Sequence, residues 1–456
     1  MEFLCIMHTL TNEQKGLTAQ ELVTSNTVRE IEEASSKRWR TFAALRHRNF
    51  RLFWLGQLIS LIGTWMQTIG QSWLVLRLTG SAWALGIVGA LQFVPILFFA
   101  LFGGILADKL PKRRVLVFTQ TFAMIQAAVL GVLVMTHTVQ LWHVYVLALL
   151  LGLTNAFDMP TRQSFVVEMV GREDLTNAIA LNSSLFNMAR IVGPGIGGLI
   201  IAWLGEAPLF VINAVSFVPV IAGLLMIDTN KLHAPVKRAG QVVANKGVRG
   251  TFLSLGEGLR YIQRTPLLLL TIIIVGAVSL FGINFNVTLP LFATNVLSIG
   301  PDGYGFLSSA YGVGSLVAAL WIATQGKKPI FKKIVLFCIA FSALEVIFSL
   351  SKLPMLSFLI IALVGFTQIS FSAAANTLLQ TVTPDHLRGR IMSVYTLVFV
   401  GTTPIGNLFI GGLASALGAS ISFLVGGALS LIAAIIGWVI RASAEQNTVE
   451  QRTNVR

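Results

Sequence analysis

The run Gly104-Ile105-Leu106-Ala107-Asp108-Lys109-Leu110-Pro111-Lys112-Arg113-Arg114 decides how the rest of the chain is read. It joins two long apolar stretches by a link too short and too charged to cross a bilayer. The link carries one acid, Asp108, and four cations, Lys109, Lys112, Arg113 and Arg114. Such a link stays at a membrane surface, as a tight hinge between two spanning helices. Outward from it the design repeats: apolar spans of about 20 residues, joined by alternately basic and neutral short connections.

The composition fits that reading. Of 456 residues, 55% are hydrophobic and 11% charged, with mean hydropathy +0.77; soluble domains carry roughly 25% charged residues. A net charge of +14 suits a nucleic-acid binder, but the cations stand at the ends of apolar runs instead of along an aromatic-interleaved stripe. They read as orientation signals and contacts for anionic lipid, and no nucleic-acid partner is expected. Cys5 and Cys338 are the two cysteines, too few for a disulfide framework or a cysteine metal site. No metal site, cofactor motif, catalytic triad or pair of intramembrane carboxylates can be assembled, so an enzyme is not expected. A phosphate-binding Gly-x-x-x-x-Gly-Lys-[Ser/Thr] loop is likewise missing from the sequence.

Twelve spans can be marked, at about 52–76, 84–106, 115–135, 139–158, 178–203, 208–227, 266–289, 304–324, 333–350, 354–376, 391–416 and 420–440. Thirty of the 33 Lys and Arg fall in segments on one side; Arg77 and Lys352 lie opposite, and Arg190 lies within a span. That bias predicts both termini in the cytoplasm of a bacterial cell. The expected organisation is a cytoplasmic extension at 1–48, a six-helix half at 49–227, a linker at 228–265, a second half at 266–440 and a cytoplasmic tail at 441–456. A helix is expected within 21–40. An amphipathic helix lying on the cytoplasmic leaflet is expected over 253–264, where Leu255, Leu259 and Ile262 recur at helical spacing. A lead-in to the seventh span is the alternative.

A weak repeat supports the division into halves. A loop near 165–175 before a Gly/Pro-rich span is echoed about 212 residues later by Thr383-Pro384-Asp385-His386-Leu387-Arg388-Gly389-Arg390. The span that follows carries Pro404, Gly406, Gly411 and Gly412. The basic link is echoed by Lys327-Lys328, without the acid. Duplicated six-helix halves around a midplane site are a transporter arrangement.

With these residues in view, the chain from about 42 to 440 resembles the major facilitator superfamily. The segment Gly104 to Arg114 is similar to that superfamily's signature between helices 2 and 3, with Pro111 where the signature usually has Gly. Asp158-Met159-Pro160-Thr161-Arg162, Leu175-x-Asn177-Ala178 and Asn187-Met188-Ala189-Arg190-Ile191-Val192-Gly193-Pro194-Gly195-Ile196-Gly197-Gly198 resemble its enterobactin-exporter-like "transmembrane secretion effector" branch. So does Pro384 to Ser393 in the second half. The resemblance implies an all-α protein with twelve transmembrane helices in two pseudo-symmetric six-helix bundles. It further implies a secondary active exporter of drugs, macrolides or siderophores, working by alternating access and coupled to protons. Gly193, Pro194, Gly197 and Gly198 resemble the antiporter motif of helix 5; Ala180 and Ala189 stand where that motif has further glycines. An inward carrier of solutes or lysophospholipids and a membrane sensor that moves nothing are the rivals.

Candidate residues follow from physics and resemblance together. Asp108 with Lys112, Arg113, Arg114, Arg388 and Arg390 can form a latch at the cytoplasmic face, by capping a helix or pairing across the halves; a topology-setting basic loop is the alternative. Arg190, a cation mid-span, should face a wet path or a partner. Either it meets an anionic substrate group, or it pairs with Asp158 or Glu345 or with carbonyls freed at Pro194. Gln57, Ser60, Thr64, Gln67, Thr68 and Gln71 share one helical face of span 1. Gln57, Thr64, Gln67 and Gln71, with Arg190, Asn284, Gln368 and Asn376, are the cavity candidates; hydrogen bonding between helices is the competing role. Asp158 and Glu345 are the coupling candidates, with proton as the expected ion. Partners beyond the substrate are membrane lipids, and a monomer is the default.

Overall fold

The computed structural model describes residues 42–233, 247–325 and 331–453, with backbone alone at 100–101, 104–109, 247–254 and 441–453. The expected helix within 21–40, the Lys327-Lys328 pair and the side chain of Asp108 lie outside the described residues.

Twelve helices are long and apolar enough to cross a membrane. They are α1 (Arg48–Thr79), α2 (Ala82–Lys109), α3 (Lys112–Met135), α4 (Leu141–Val170), α5 (Leu175–Leu204), α6 (Glu206–Leu225), α7 (Pro266–Asn295), α8 (Pro301–Gln325), α9 (Phe331–Leu350), α10 (Pro354–Val382), α11 (Asp385–Leu417) and α12 (Ala419–Thr453). No strand occurs among the described residues. In hydrocarbon every backbone N–H and C=O must bond internally, which leaves helices as the solution for such runs.

All twelve expected spans are present, most of them longer than hydropathy marks. Helix α4 has 30 residues, about 45 Å at 1.5 Å per residue, against a hydrocarbon core of about 30 Å. It therefore continues past Pro160 to Val170, through part of the loop expected at 165–175. Likewise α11 begins at Asp385, inside the expected polar loop. Hydropathy sees the greasy stretch; the hydrogen-bonded helix runs on into the polar interface.

The packing repeats with a shift of six helices. In the first bundle α1 packs on α6, α2 on α4, α3 on α6 and α3 on α4; in the second α7 packs on α12, α8 on α10, α9 on α12 and α9 on α10. Two tight turns repeat as well. Gly205 joins α5 to α6 at φ +81°, and Gly418 joins α11 to α12 at φ +88°, a backbone state that favours glycine. The loops at 110–111, 171–174, 226–233 and 383–384 share one end of the molecule, here the basic end; Gly80, Gly205 and Gly418 mark the far end.

Two helices are interrupted. A π-turn at Val278–Gly282 breaks α7, and the Asn284 side chain donates to the Leu280 carbonyl at 2.9 Å, satisfying a group the break frees. In α11 the break falls at Thr402, just before Pro404, which has no N–H to donate. The helix Gly247–Arg264 precedes α7, longer than the expected 253–264. Its Gly258 lies against the Arg390 backbone of α11.

The bundles meet along two seams related by the same shift, α5 against α8 and α2 against α11. A Cβ on Gly198 would lie 2.6 Å from the Pro301 carbonyl oxygen, and one on Gly305 would lie 2.5 Å from that of Pro194. A Cβ on Gly86 would stand 2.6 Å from the Asn407 carbonyl oxygen, and one on Gly411 would stand 2.9 Å from Gly86 Cα. These are backbone-on-backbone approaches of the small-residue type, and overpacking a tight site costs about 1–3 kcal/mol. Gly305→Val and Gly86→Val should therefore each lower the Tm of the detergent-solubilised protein by several degrees. Gly389→Val, with open space around its Cα, should leave it nearly unchanged; equal effects at all three positions would deny the seams their special role.

Candidate functional site

At the basic end, the charged side chains pair within their own bundles or with the helix that precedes α7. Lys112 Nζ lies 2.6 Å from Glu168 Oε1, between α3 and α4. Arg113 donates from Nε to the Leu224 carbonyl at 2.7 Å and from Nη2 to that of Leu225, capping the end of α6. Arg388 pairs with Asp385 at 2.6 Å and donates to the Gln380 carbonyl at 3.0 Å. Arg390 pairs with Glu257 of the helix before α7. Arg114 is exposed beside an apolar groove of about 580 Å³ lined by Phe118, Phe122, Leu153 and Phe157. In this arrangement Lys112, Arg113 and Arg388, expected as latch members, meet partners in their own halves, and Arg390 meets the helix that precedes α7.

A clamp not foreseen from the sequence holds the start of α1. Asp174, just before α5, accepts from His47 Nε2 at 2.7 Å and from Arg46 at 2.9 and 3.0 Å. The Ala44 amide donates to Asn177 Oδ1 at 2.9 Å. The hydrogen bond from His47, seconded by the Arg46 charge, holds the Asp174 carboxyl below the usual carboxylate range despite some opposing desolvation. No short motif signals it, because its members lie about 127 residues apart.

The helix-5 motif faces two ways. A Cβ on Gly193 would meet Trp65 Cβ of α1 at 2.6 Å and one on Gly197 would meet Met66 Cα at 3.2 Å, so both glycines serve packing within the first bundle. Pro194 and Gly198 face α8 across the seam. There Ser309 donates to the Ile191 carbonyl at 2.6 Å. The Arg190 guanidinium reaches across to the ring of Tyr311, 5.4 Å from its centroid. The Tyr311 hydroxyl donates to Gln368 Oε1 of α10 at 3.2 Å. Tyr311 is close enough to both Arg190 and Glu345 of α9 for their charges to act on it. The Nε and Nη2 of Arg190 and the Oε2 of Glu345 are buried without a hydrogen-bond partner.

The remaining candidates divide. Gln67 does not stand alone in a cavity: its amide donates to Gln126 Oε1 at 3.0 Å and its carbonyl accepts from Asn213 at 2.5 Å, inside the first bundle. Amides buried among apolar helices are worth most when they satisfy each other. Thr64 donates back to the Ser60 carbonyl, as such hydroxyls do within helices. Gln57 is buried with one atom unpartnered, and both amide atoms of Gln71 are unpartnered. Gln71 lines a cavity of about 10 Å³ with Thr68, Ser72, Gln92 and Asn286, where α1, α2 and α7 meet; that is about the room one water needs. Asn284 caps the α7 break, and Asn376 accepts from Gln380 at 2.5 Å. Asp158 accepts from Thr119 at 2.7 Å, from Gln120 at 2.8 Å and from Arg162 Nε at 2.9 Å. Of the two coupling candidates, one is thus fully satisfied and the other, Glu345, is not.

Comparisons with known proteins agree with this architecture. The model of a family described as transmembrane secretion effector matches residues 39–454. The multidrug efflux pump Tap of Mycolicibacterium fortuitum is 31% identical over 385 residues, covering 83% of this chain and 91% of that protein. The enterobactin exporter EntS of Escherichia coli is 26% identical over 408 residues, covering 85% and 92%. The staphyloferrin A transporter of Staphylococcus aureus is 25% identical, covering 86% and 96%. Among solved structures, the POT family transporter PepTSo superposes with a TM-score of 0.67 at 14% identity, covering 88% of this chain and 99% of its own, a likeness of fold.

The Asp174 clamp yields a prediction with a defined sign. A carboxylate whose folded pKa is depressed contributes stability above its ordinary range, lost as pH falls through the lowered folded value. Exchange of the Ala44 amide hydrogen should stay slow at neutral and mildly acidic pH, and Asp174→Asn should speed it several-fold at pH 7. An unchanged exchange rate would mean that the clamp does not hold this segment.

Proposed function

Because the chain belongs to the transmembrane secretion effector family of the major facilitator superfamily, we propose that it exports a small amphipathic compound, of the drug, macrolide or siderophore class, in exchange for protons. The observation that carries this reading is where the two bundles approach each other. The glycine approaches between bundles run through the far half of each seam and end at Arg190 against Gly312 in one, and at Leu97 against Gly401 in the other. At the basic end Lys112 and Arg388 pair within their own bundles and Arg390 pairs with the linker helix. With the basic end and both termini in the cytoplasm, as the bias of the cations favours, the placing of these approaches toward the far end supports loading from the cytoplasmic side, as an exporter requires. The relatives named as an efflux pump and an exporter favour the same direction.

The halves 49–227 and 266–440 then rock about the midplane, with the linker 228–265 between them. As the far seams part, the basic ends approach, and Asp108, Lys112, Arg113, Arg114, Arg388 and Arg390 come within reach of the opposite bundle as the latch. The route passes Gln71 and Arg190 on one side and Gln368 on the other. Glu345 carries the proton. An ionised carboxylate buried to 2% exposure with Oε2 unpartnered would be costly in a membrane interior, so this group is stable there with its proton on. Asp158, bound by an arginine and two further donors, serves structure instead.

In proteoliposomes with an imposed pH gradient, the wild-type protein should accumulate an efflux dye such as ethidium on the side corresponding to export. Glu345→Gln should cut that driven accumulation at least ten-fold while downhill flux persists. Driven accumulation that survives in Glu345→Gln removes this residue from coupling. A wild-type protein that shows no gradient-driven flux with any dye of a broad panel contradicts the exporter reading.

A further inference from the structure

Arg190 carries two buried donors that nothing among the described residues takes up, and their arrangement specifies what would. The guanidinium carbon lies over the Tyr311 ring, 5.4 Å from its centroid, and the Tyr311 hydroxyl donates to Gln368. The free donors are Nε and Nη2, which lie side by side on one edge of the planar group with their N–H bonds parallel. That edge is the fork by which arginine binds a carboxylate through two hydrogen bonds at once. Leaving such donors buried and unmade is costly, which marks the edge as shaped for a ligand. The other arginine well inside a spanning helix, Arg162, shows the alternative, since Asp158 occupies its fork. Glu345, the acid nearest in kind, forms no ion pair with Arg190 within 4 Å among the described residues.

The surroundings narrow the ligand further. A single cation on an aromatic platform balances one negative charge, which suits a monoanionic carboxylate. One helical turn toward the basic end on the same face of α5, Phe186 is 46% exposed and packs edge-on against Trp65 of α1 at 5.6 Å. An apolar body reaching in from the basic end would lie along this aromatic pair with its acid group at Arg190.

The geometry points to a carboxylate subsite at Arg190, Tyr311 and Gln368, on the boundary between the bundles, that selects amphipathic monocarboxylates. It rests on the exporter reading only in taking the inter-bundle route as the substrate path. The platform belongs to one bundle and the cation to the other, so a carboxylate seated on the fork is held where the bundles slide past each other. A ligand gripped there is sensitive to their relative position, as a carried substrate must be.

The test uses the full-length protein in nanodiscs and two probes that differ only at the acid: 11-(dansylamino)undecanoic acid and its methyl ester, titrated by fluorescence. The acid should bind at least ten-fold more tightly than the ester. Arg190→Gln should bring the acid down to the ester's level, whereas Arg190→Lys, which keeps the charge but loses the fork, should recover only part of the difference. Equal affinities of acid and ester in the wild-type protein, or no binding of either, would overturn the subsite. So would a loss in Arg190→Gln that falls equally on both probes, as expected if Arg190 is purely structural. Failure of the exporter reading shows elsewhere, as absence of gradient-driven ethidium flux, and would leave an acid-over-ester preference standing as a binding site.

Discussion

The arrangement of this protein depends on four glycines that let helix backbones touch. Gly198 against Gly305 and Gly86 against Gly411 bring one bundle onto the other without side chains between them. In a bilayer there is no hydrophobic gain from helix association, because lipid tails are as apolar as leucine; close van der Waals contact does the work. The two seams are equivalent under the six-helix repeat, so each bundle contributes one helix of its own to each seam. Both have their closest glycine approaches in the far half. Even the helix-5 motif is divided by this constraint. Gly193 and Gly197 hold α1, whereas Pro194 and Gly198 hold α8.

Against that rigid apolar framework, the polar residues fall into two groups. One group bonds within the first bundle, with only Gln120 Oε1 and Gln126 Nε2 left over: Gln67 with Gln126 and Asn213, and Asp158 with Thr119, Gln120 and Arg162. These networks tie the helices of the first bundle together and let it move as a unit. The other group has donors or acceptors unmet: Arg190 and Gln71 at the meeting of the bundles, and Glu345 on α9 of the second bundle. An unmet buried polar atom is costly when nothing uses it. Arg190 leaves two donors and Gln71 both amide atoms unmet where helices of the two bundles meet, against single atoms of Gln120 and Gln126 in the networks, and function is placed at the boundary for that reason.

The sequence carried the fold well. Apolar runs, the one-sided placement of cations and the Gly104 to Arg114 link were enough for twelve helices, because a membrane leaves the backbone few alternatives. Helix ends were less legible, since α4 and α11 extend into polar interface where hydropathy is silent. The site was legible only in part. A stripe such as Gln57, Thr64, Gln67 and Gln71 tells that a helix face avoids lipid, but not which neighbour receives it; Gln67 turned to its own bundle and Gln71 to the boundary. Arg190 was conspicuous as a mid-span cation, yet its platform, Tyr311, lay hidden among ordinary aromatics. The Asp174 clamp was unreadable, as it joins residues distant in the chain and common at loop ends.

The central claim is that the bundles rock about these seams, closing one end as the other opens. Double electron–electron resonance tests it with two label pairs, Leu204 with Ser298 at the far end and Glu173 with His386 at the basic end, all exposed positions. Across conditions that shift the transporter, such as lowered pH or added ligand, the account predicts that one distance lengthens while the other shortens. Two distances that stay fixed, or that lengthen and shorten together, would contradict it.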